Sequence, residues 1–136
     1  MTEQELNKAV VTRFNREVLE QGDFNAYQEI VSPDFINHSA PAGTDNGFQA
    51  TFDFIDQVVR KAFPDLRMEI KHMVAEGNKV FTHKIMHGTH IGEFMGIKGS
   101  GKQVVIPTMD ILYLKDGVYT DHWAIRDIQD VVKKAN

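Results

Sequence analysis

The chain has 136 residues, a formal charge of −4 and 42% hydrophobic residues, a size and composition that fit one globular domain with its own core. Mild acidity argues against a nucleic-acid backbone or an anionic membrane surface as the partner. With no cysteine, disulfide scaffolds, thiolate zinc sites and Cys nucleophiles are excluded.

Residues 1–21 lack the apolar core of a signal peptide, and no window approaches the roughly 18 apolar residues of a membrane span. A cytoplasmic protein is expected. Leu6, Val10, Phe14 and Val18 recur at helical spacing and predict an amphipathic first helix. After Gln21-Gly22-Asp23, residues 24–31 read as a short helix capped by Asp23. Ser32-Pro33 ends it, Phe35 to His38 is extended, and Ser39 to Asn46 is a loop. Gly47 to Phe63 places Phe48, Phe52, Ile55, Val58, Val59 and Ala62 on one helical face. The period then changes. Leu66-Met68-Ile70-His72 alternates with charged residues as a strand does, and Gly77-Asn78 turns into a second strand from Val80 to His87. Gly88 to Gly101 is a glycine-rich loop, Val104 to Leu114 a third strand, and Val118 to Ile125 a fourth after the hairpin signal Asp116-Gly117. A last helical turn spans Asp127 to Lys134. Helices followed by an antiparallel sheet make the fold class α+β, one domain over 1–136.

The last hairpin is apolar at odd positions (Ile111, Tyr113, Tyr119, Trp123) and at even ones (Leu112, Leu114, Ala124). A half-solvated strand alternates more cleanly. One face lining an interior and the other meeting a second subunit explains both sets, so a homodimer is expected.

Phe63-Pro64-Asp65-Leu66 is followed by Gly88-Thr89-His90-Ile91-Gly92-Glu93-Phe94-Met95-Gly96. Gly99-Ser100-Gly101-Lys102, Asp116-Gly117 and the run from His122-Trp123 to Asp127 come next. In these elements, from Phe63 to Asp127, the sequence resembles the SnoaL-like polyketide cyclase family. The resemblance implies the nuclear transport factor 2-like fold, a cystatin-like α+β roll in which a curved antiparallel sheet forms a cone around N-terminal helices. It also implies a deep apolar pocket, a dimer through the outer sheet face, and cofactor-free closure of polyketide rings by aldol chemistry.

Six histidines stand out. His83 and His87 are four apart on one strand and share a face. Two imidazoles there could take a metal with a third ligand, but the reading adopted is a polar pocket wall with no metal. Asp110 interrupts the apolar run from Ile106 to Leu114, where a carboxylate is expensive unless paired or wetted. Placed in a pocket, it is expected to have a raised pKa by desolvation. The resemblance puts His122 on the inner wall and His38 at the pocket rim. Phe52, Trp123 and Asp127 complete the expected substrate contacts. One departure from the family matters. The cyclases' catalytic Asp comes two residues after the position of His122, which is Ala124 here, and their histidine on the preceding strand matches Asp110.

Two hairpin registers fit Asp116-Gly117. A two-residue turn sets Asp110 opposite Trp123. A three-residue loop with left-handed Gly117 pairs Leu114 with Val118 and sets Asp110 opposite His122, and this register is chosen. Asp110 and His122 are then the expected catalytic pair, the carboxylate supporting a charged imidazole. The function expected is acid–base chemistry next to a carbonyl of a small hydrophobic substrate, as in a cyclase, isomerase or dehydratase. The alternative is a binding protein without chemistry, favoured by Ala124.

Overall fold

A computed structural model describes residues 1–135, the side chain of Gln129 excepted. Helix α1, Glu3–Arg13, starts at Thr2, whose Oγ1 accepts the Glu5 N–H at 3.1 Å. It runs directly into a π-helical segment, Phe14–Leu19. The face it buries carries Asn7, Val11, Asn15 and Val18, while Leu6 is exposed and Val10 and Phe14 are half-buried. The inward face is thus turned from the expected stripe, because two asparagines with partners inside the fold share it. Asn7 donates to the Gly77 carbonyl (3.4 Å), and Asn15 to that of Val11 (2.8 Å). Helix α2, Phe24–Ile30, is capped as expected by Asp23, which accepts the Ala26 N–H.

Strand β1, Val31–Asn37, leads through the loop at 38–47 to helix α3, Phe48–Phe54. A second π segment, Ile55–Val59, and the short α4, Arg60–Ala62, continue the same helix. Then come β2 (Arg67–Glu76), β3 (Lys79–Thr89), β4 (Gln103–Lys115), β5 (Val118–Arg126) and α5 (Ile128–Ala135). The sheet order is β1-β5-β4-β3-β2, antiparallel apart from β1 beside β5. Every even residue from Val104 to Leu114 is buried on the helix-covered side, and the odd ones face out. Among the described residues, no helix is long and apolar enough to cross a membrane.

The hairpin takes neither expected register. Asp116 (φ 53°) and Gly117 (φ 76°) are both left-handed, the geometry of a two-residue type I′ turn, and Lys115 pairs with Val118. Thr120 is then an extra residue. Leu114 pairs with Tyr119, but Tyr113 pairs with Asp121, so a bulge shifts the ladder by one. Downstream, Leu112 faces His122 and Asp110 faces Ala124. The two-residue turn sets Tyr119 inward opposite Leu114, against the parity expected for it, and the bulge then brings His122 to the same inner face.

The glycine-rich motif is an architectural lock. Asp65 accepts the backbone N–H and the hydroxyl of Thr89, both at 2.7 Å, tying the turn after α4 to the end of β3. Phe63 is fully buried against Gly88, His90 and Phe94. At Gly99 a side-chain carbon would overlap the carbonyl oxygen of Ile91, so the loop closes only without one. Gly99→Ala is expected to destabilise the fold by about 1–3 kcal/mol, read as a lower urea midpoint at unchanged slope.

Candidate functional site

Inside the cone lies a cavity of about 690 Å³, within the range of small-molecule sites. Phe14, Leu19, Ile55 and Val58 from the two π segments form the helical wall, and Phe35, Leu112 and Tyr119 the sheet wall. A π turn carries an extra residue, which brings side chains inward that a regular helix would spread around its circumference. The loop after β1 adds Ser39, Ala40, Pro41, Thr44 and Asp45. Ser39 is pinned to β5 at Ala124, its hydroxyl accepting the N–H at 2.7 Å and donating to the carbonyl at 3.2 Å.

Polar groups converge on Asp110, which is 5% exposed. The Thr82 hydroxyl donates to Oδ1, the Lys84 ammonium lies 3.2 Å from Oδ2, and His122 Nε2 lies 3.3 Å from the same oxygen. Lys84 also donates to Asn15 Oδ1 at 2.9 Å. On the other side of the imidazole, His122 Nδ1 is 3.2 Å from Asn37 Oδ1, itself held by the Ser39 N–H. Asp110 and His122 meet as diagonal neighbours on one face rather than directly opposite.

The electrostatics differ from expectation. Burial alone would raise Asp110, but the Lys84 ammonium, the His122 hydrogen bond and the Thr82 hydroxyl together hold the carboxyl well below its usual range. Asp110 is therefore an ionised carboxylate. Burial lowers His122, and the neighbouring carboxylate opposes this without reversing it, so the ring is neutral at pH 7. The neutral form places the Nε2 proton toward Asp110. A proton gained at Nδ1 would meet Asn37 Oδ1. Tyr119, fully buried with its hydroxyl unpartnered among the described residues, is pushed up by burial.

Of the other expected contacts, only Asp127 lines the cavity. His83 and His87 share a face, but it is the outer one: His83 Nδ1 is 3.1 Å from His72 Nδ1, and His87 is 2.8 Å from Glu69. Glu69 is held low, at about 2, by Lys71 and His87. His38 and Trp123 also lie outside the cavity, their rings stacked at 4.1 Å, with His38 Nε2 2.8 Å from Asp121. Phe52 belongs to the aromatic core, 4.7 Å from Phe24 and 5.0 Å from Tyr27. Lys84, Thr82, Asn15, Asn37 and Tyr119 were not singled out from sequence. Lys84 carried a signal, a lone lysine on the same face as Val80, Thr82 and Met86. Among the described residues no three His, Asp or Glu side chains form a group suited to a metal.

Solved structures share this architecture. A protein from Jannaschia sp. CCS1 described as a SnoaL-like polyketide cyclase aligns at TM-score 0.84 and 25% identity, over 98% of this chain and 94% of its own. AclR from Streptomyces galilaeus, described as a hydroxylase, aligns at TM-score 0.82 and 25% identity over 98% and 97%. TsrD from Streptomyces laurentii, at 18% identity, shares the fold at TM-score 0.86 over 100% and 98%. No curated protein matches the sequence. The model of the family described as SnoaL-like polyketide cyclase matches residues 9–134, and with a helix-filled cone over a deep cavity the chain belongs to that family.

Proposed function

We propose that the protein is a cofactor-free enzyme that removes a proton next to the carbonyl of a small hydrophobic substrate. The observation that carries this reading is the placing of His122. It is a neutral imidazole in an apolar cavity, with a carboxylate at one ring nitrogen and an amide oxygen at the other. A base is effective when its charged product is already solvated by fixed groups, and Asp110 and Asn37 offer that solvation to an imidazolium. His122 is the catalytic base in this scheme and takes the proton at Nδ1, the Asn37 amide oxygen giving way to the substrate there and then accepting the new N–H. Asp110, too strongly held as a carboxylate to take the proton itself, is a positioning residue that fixes the ring and balances its charge. The test is exchange of hydrogens next to the carbonyl with solvent deuterium, across a panel of hydrophobic ketones and esters followed by mass spectrometry. Exchange above the buffer rate supports the reading. Tight binding without exchange favours a binding protein, the reading to which Ala124, an apolar residue facing Asp110, lends weight.

The same proposal includes a homodimer through the outer sheet face. Val74, Phe81, Val105, Met109 and Ile125 are exposed there, Ile125 at 83%, and Phe81, Ile111 and Trp123 form one row across three strands. Apolar side chains exposed together in this way support an interface here. Sedimentation is expected to give a dimer at micromolar concentration, and Phe81→Glu with Met109→Glu a folded monomer.

A further inference from the structure

Arg126 is the last residue of β5, on the same inner face as His122 and Ala124. Its side chain lines the main cavity and also a recess of about 60 Å³ behind it, walled by Met68, Met86 and Thr108. Among the described residues, no hydrogen bond or ion pair engages its guanidinium. Two charged groups in the cavity wall, Lys84 and Asp110, are already paired with each other at 3.2 Å. Asp45 and Asp127 also line the cavity, and neither forms an ion pair with it. Arg126 is exposed overall, and protein packs around the guanidinium closely enough to lower its pKa.

A guanidinium has five N–H donors in a flat fork and does not give up its charge in a protein. Lining the cavity with no acceptor in its wall bonded to it, such a group is stabilised by an anion that arrives with the ligand, and the fork matches a carboxylate bidentately. We propose that Arg126 anchors a carboxylate on the ligand, so that the cavity selects hydrophobic acids over their uncharged amides. This names the substrate class for the pocket of the proposed function and rests on that reading only for where the ligand sits.

The experiment compares 1-naphthylacetate with 1-naphthylacetamide, which share an aromatic frame and differ in charge, by calorimetry on the full chain. The wild-type protein is expected to bind the acid about 10- to 100-fold more tightly. In Arg126→Gln the acid should fall to the affinity of the amide, and in Arg126→Lys it should lie between, because charge is kept while the fork is lost. Equal binding of the two compounds by wild type, binding of neither, or an unchanged preference in Arg126→Gln overturns the proposal. So does loss of both compounds together in the Gln and Lys variants, which would make Arg126 a structural residue. Deuterium exchange is read separately. A wild-type protein that prefers the acid but catalyses no exchange keeps the Arg126 anchor and loses the His122 base.

Discussion

Lys84→Met is expected to destabilise the fold by about 3–5 kcal/mol, because it leaves the Asp110 carboxylate buried without its cation. Lys84 and Asp110 side chains are only 6% and 3% exposed, so water screens little of their attraction. Thr82 and His122 would still hydrogen-bond the carboxylate, but both are neutral at pH 7. Asn15 would lose its donor as well. The double variant Lys84→Met/Asp110→Leu removes both charges and is expected to recover most of the loss, since a buried pair is usually worth little more than a matched apolar pair. The pH dependence gives a second reading. In the wild type, Asp110 has a depressed folded pKa, so its contribution is complete above the ordinary carboxylate value and disappears only as pH falls through the lower folded one. His122 is also lowered, so the folded state resists a proton that the unfolded chain accepts. Wild-type stability should therefore fall as pH drops below the ordinary imidazole value. Without Lys84, the Asp110–His122 pair as a unit should take up a proton more readily than the unfolded chain, and stability should rise as pH falls toward 5. Chemical denaturation at several pH values reads both slopes. If Lys84→Met costs less than about 1 kcal/mol, the pair is wetter than its burial implies.

The strands were legible because period-two patterning in Leu66-Met68-Ile70 and in 104–114 follows directly from one face being buried. Asp110 announced itself as a carboxylate in an apolar strand. Parity, however, says which residues share a face and not which face is inside. His83 and His87 do share one, and it is the outer; Lys84, between them in sequence, points inward to the site. Thr120 is the second case. An inserted residue in Val-Tyr-Thr-Asp-His has no glycine or proline to mark it, yet it alone sets the register that brings His122 and Tyr119 to the same wall. A raised pKa was expected at Asp110 from burial alone, and the lysine that reverses it lies 26 positions away on another strand. Long-range charge pairing of this kind leaves no local trace.

For any carbonyl compound that the wild type exchanges, His122→Gln is expected to lower the rate by about 10²- to 10⁴-fold, the usual worth of a positioned general base. Glutamine keeps a polar contact toward Asn37 and Asp110, so the cavity and the ligand affinity should survive. The pH profile separates a base from a structural histidine. Exchange should rise with pH through an inflection below the ordinary imidazole value and then level off, because only the neutral ring accepts the proton and burial lowers its pKa. Charge at the two flanking positions should move that inflection in opposite directions. Asp110→Asn removes the carboxylate that favours the imidazolium and should shift it down, with a slower plateau because the charge formed on the ring is no longer balanced. Lys84→Met removes a cation that opposes protonation and should shift the inflection up, measured at a temperature where the variant is folded. A residue that merely lines the pocket has no reason to couple to both neighbours with opposite signs. If the inflection stays in place in both variants while the rate persists in His122→Gln, the proton goes to another group and His122 is part of the wall.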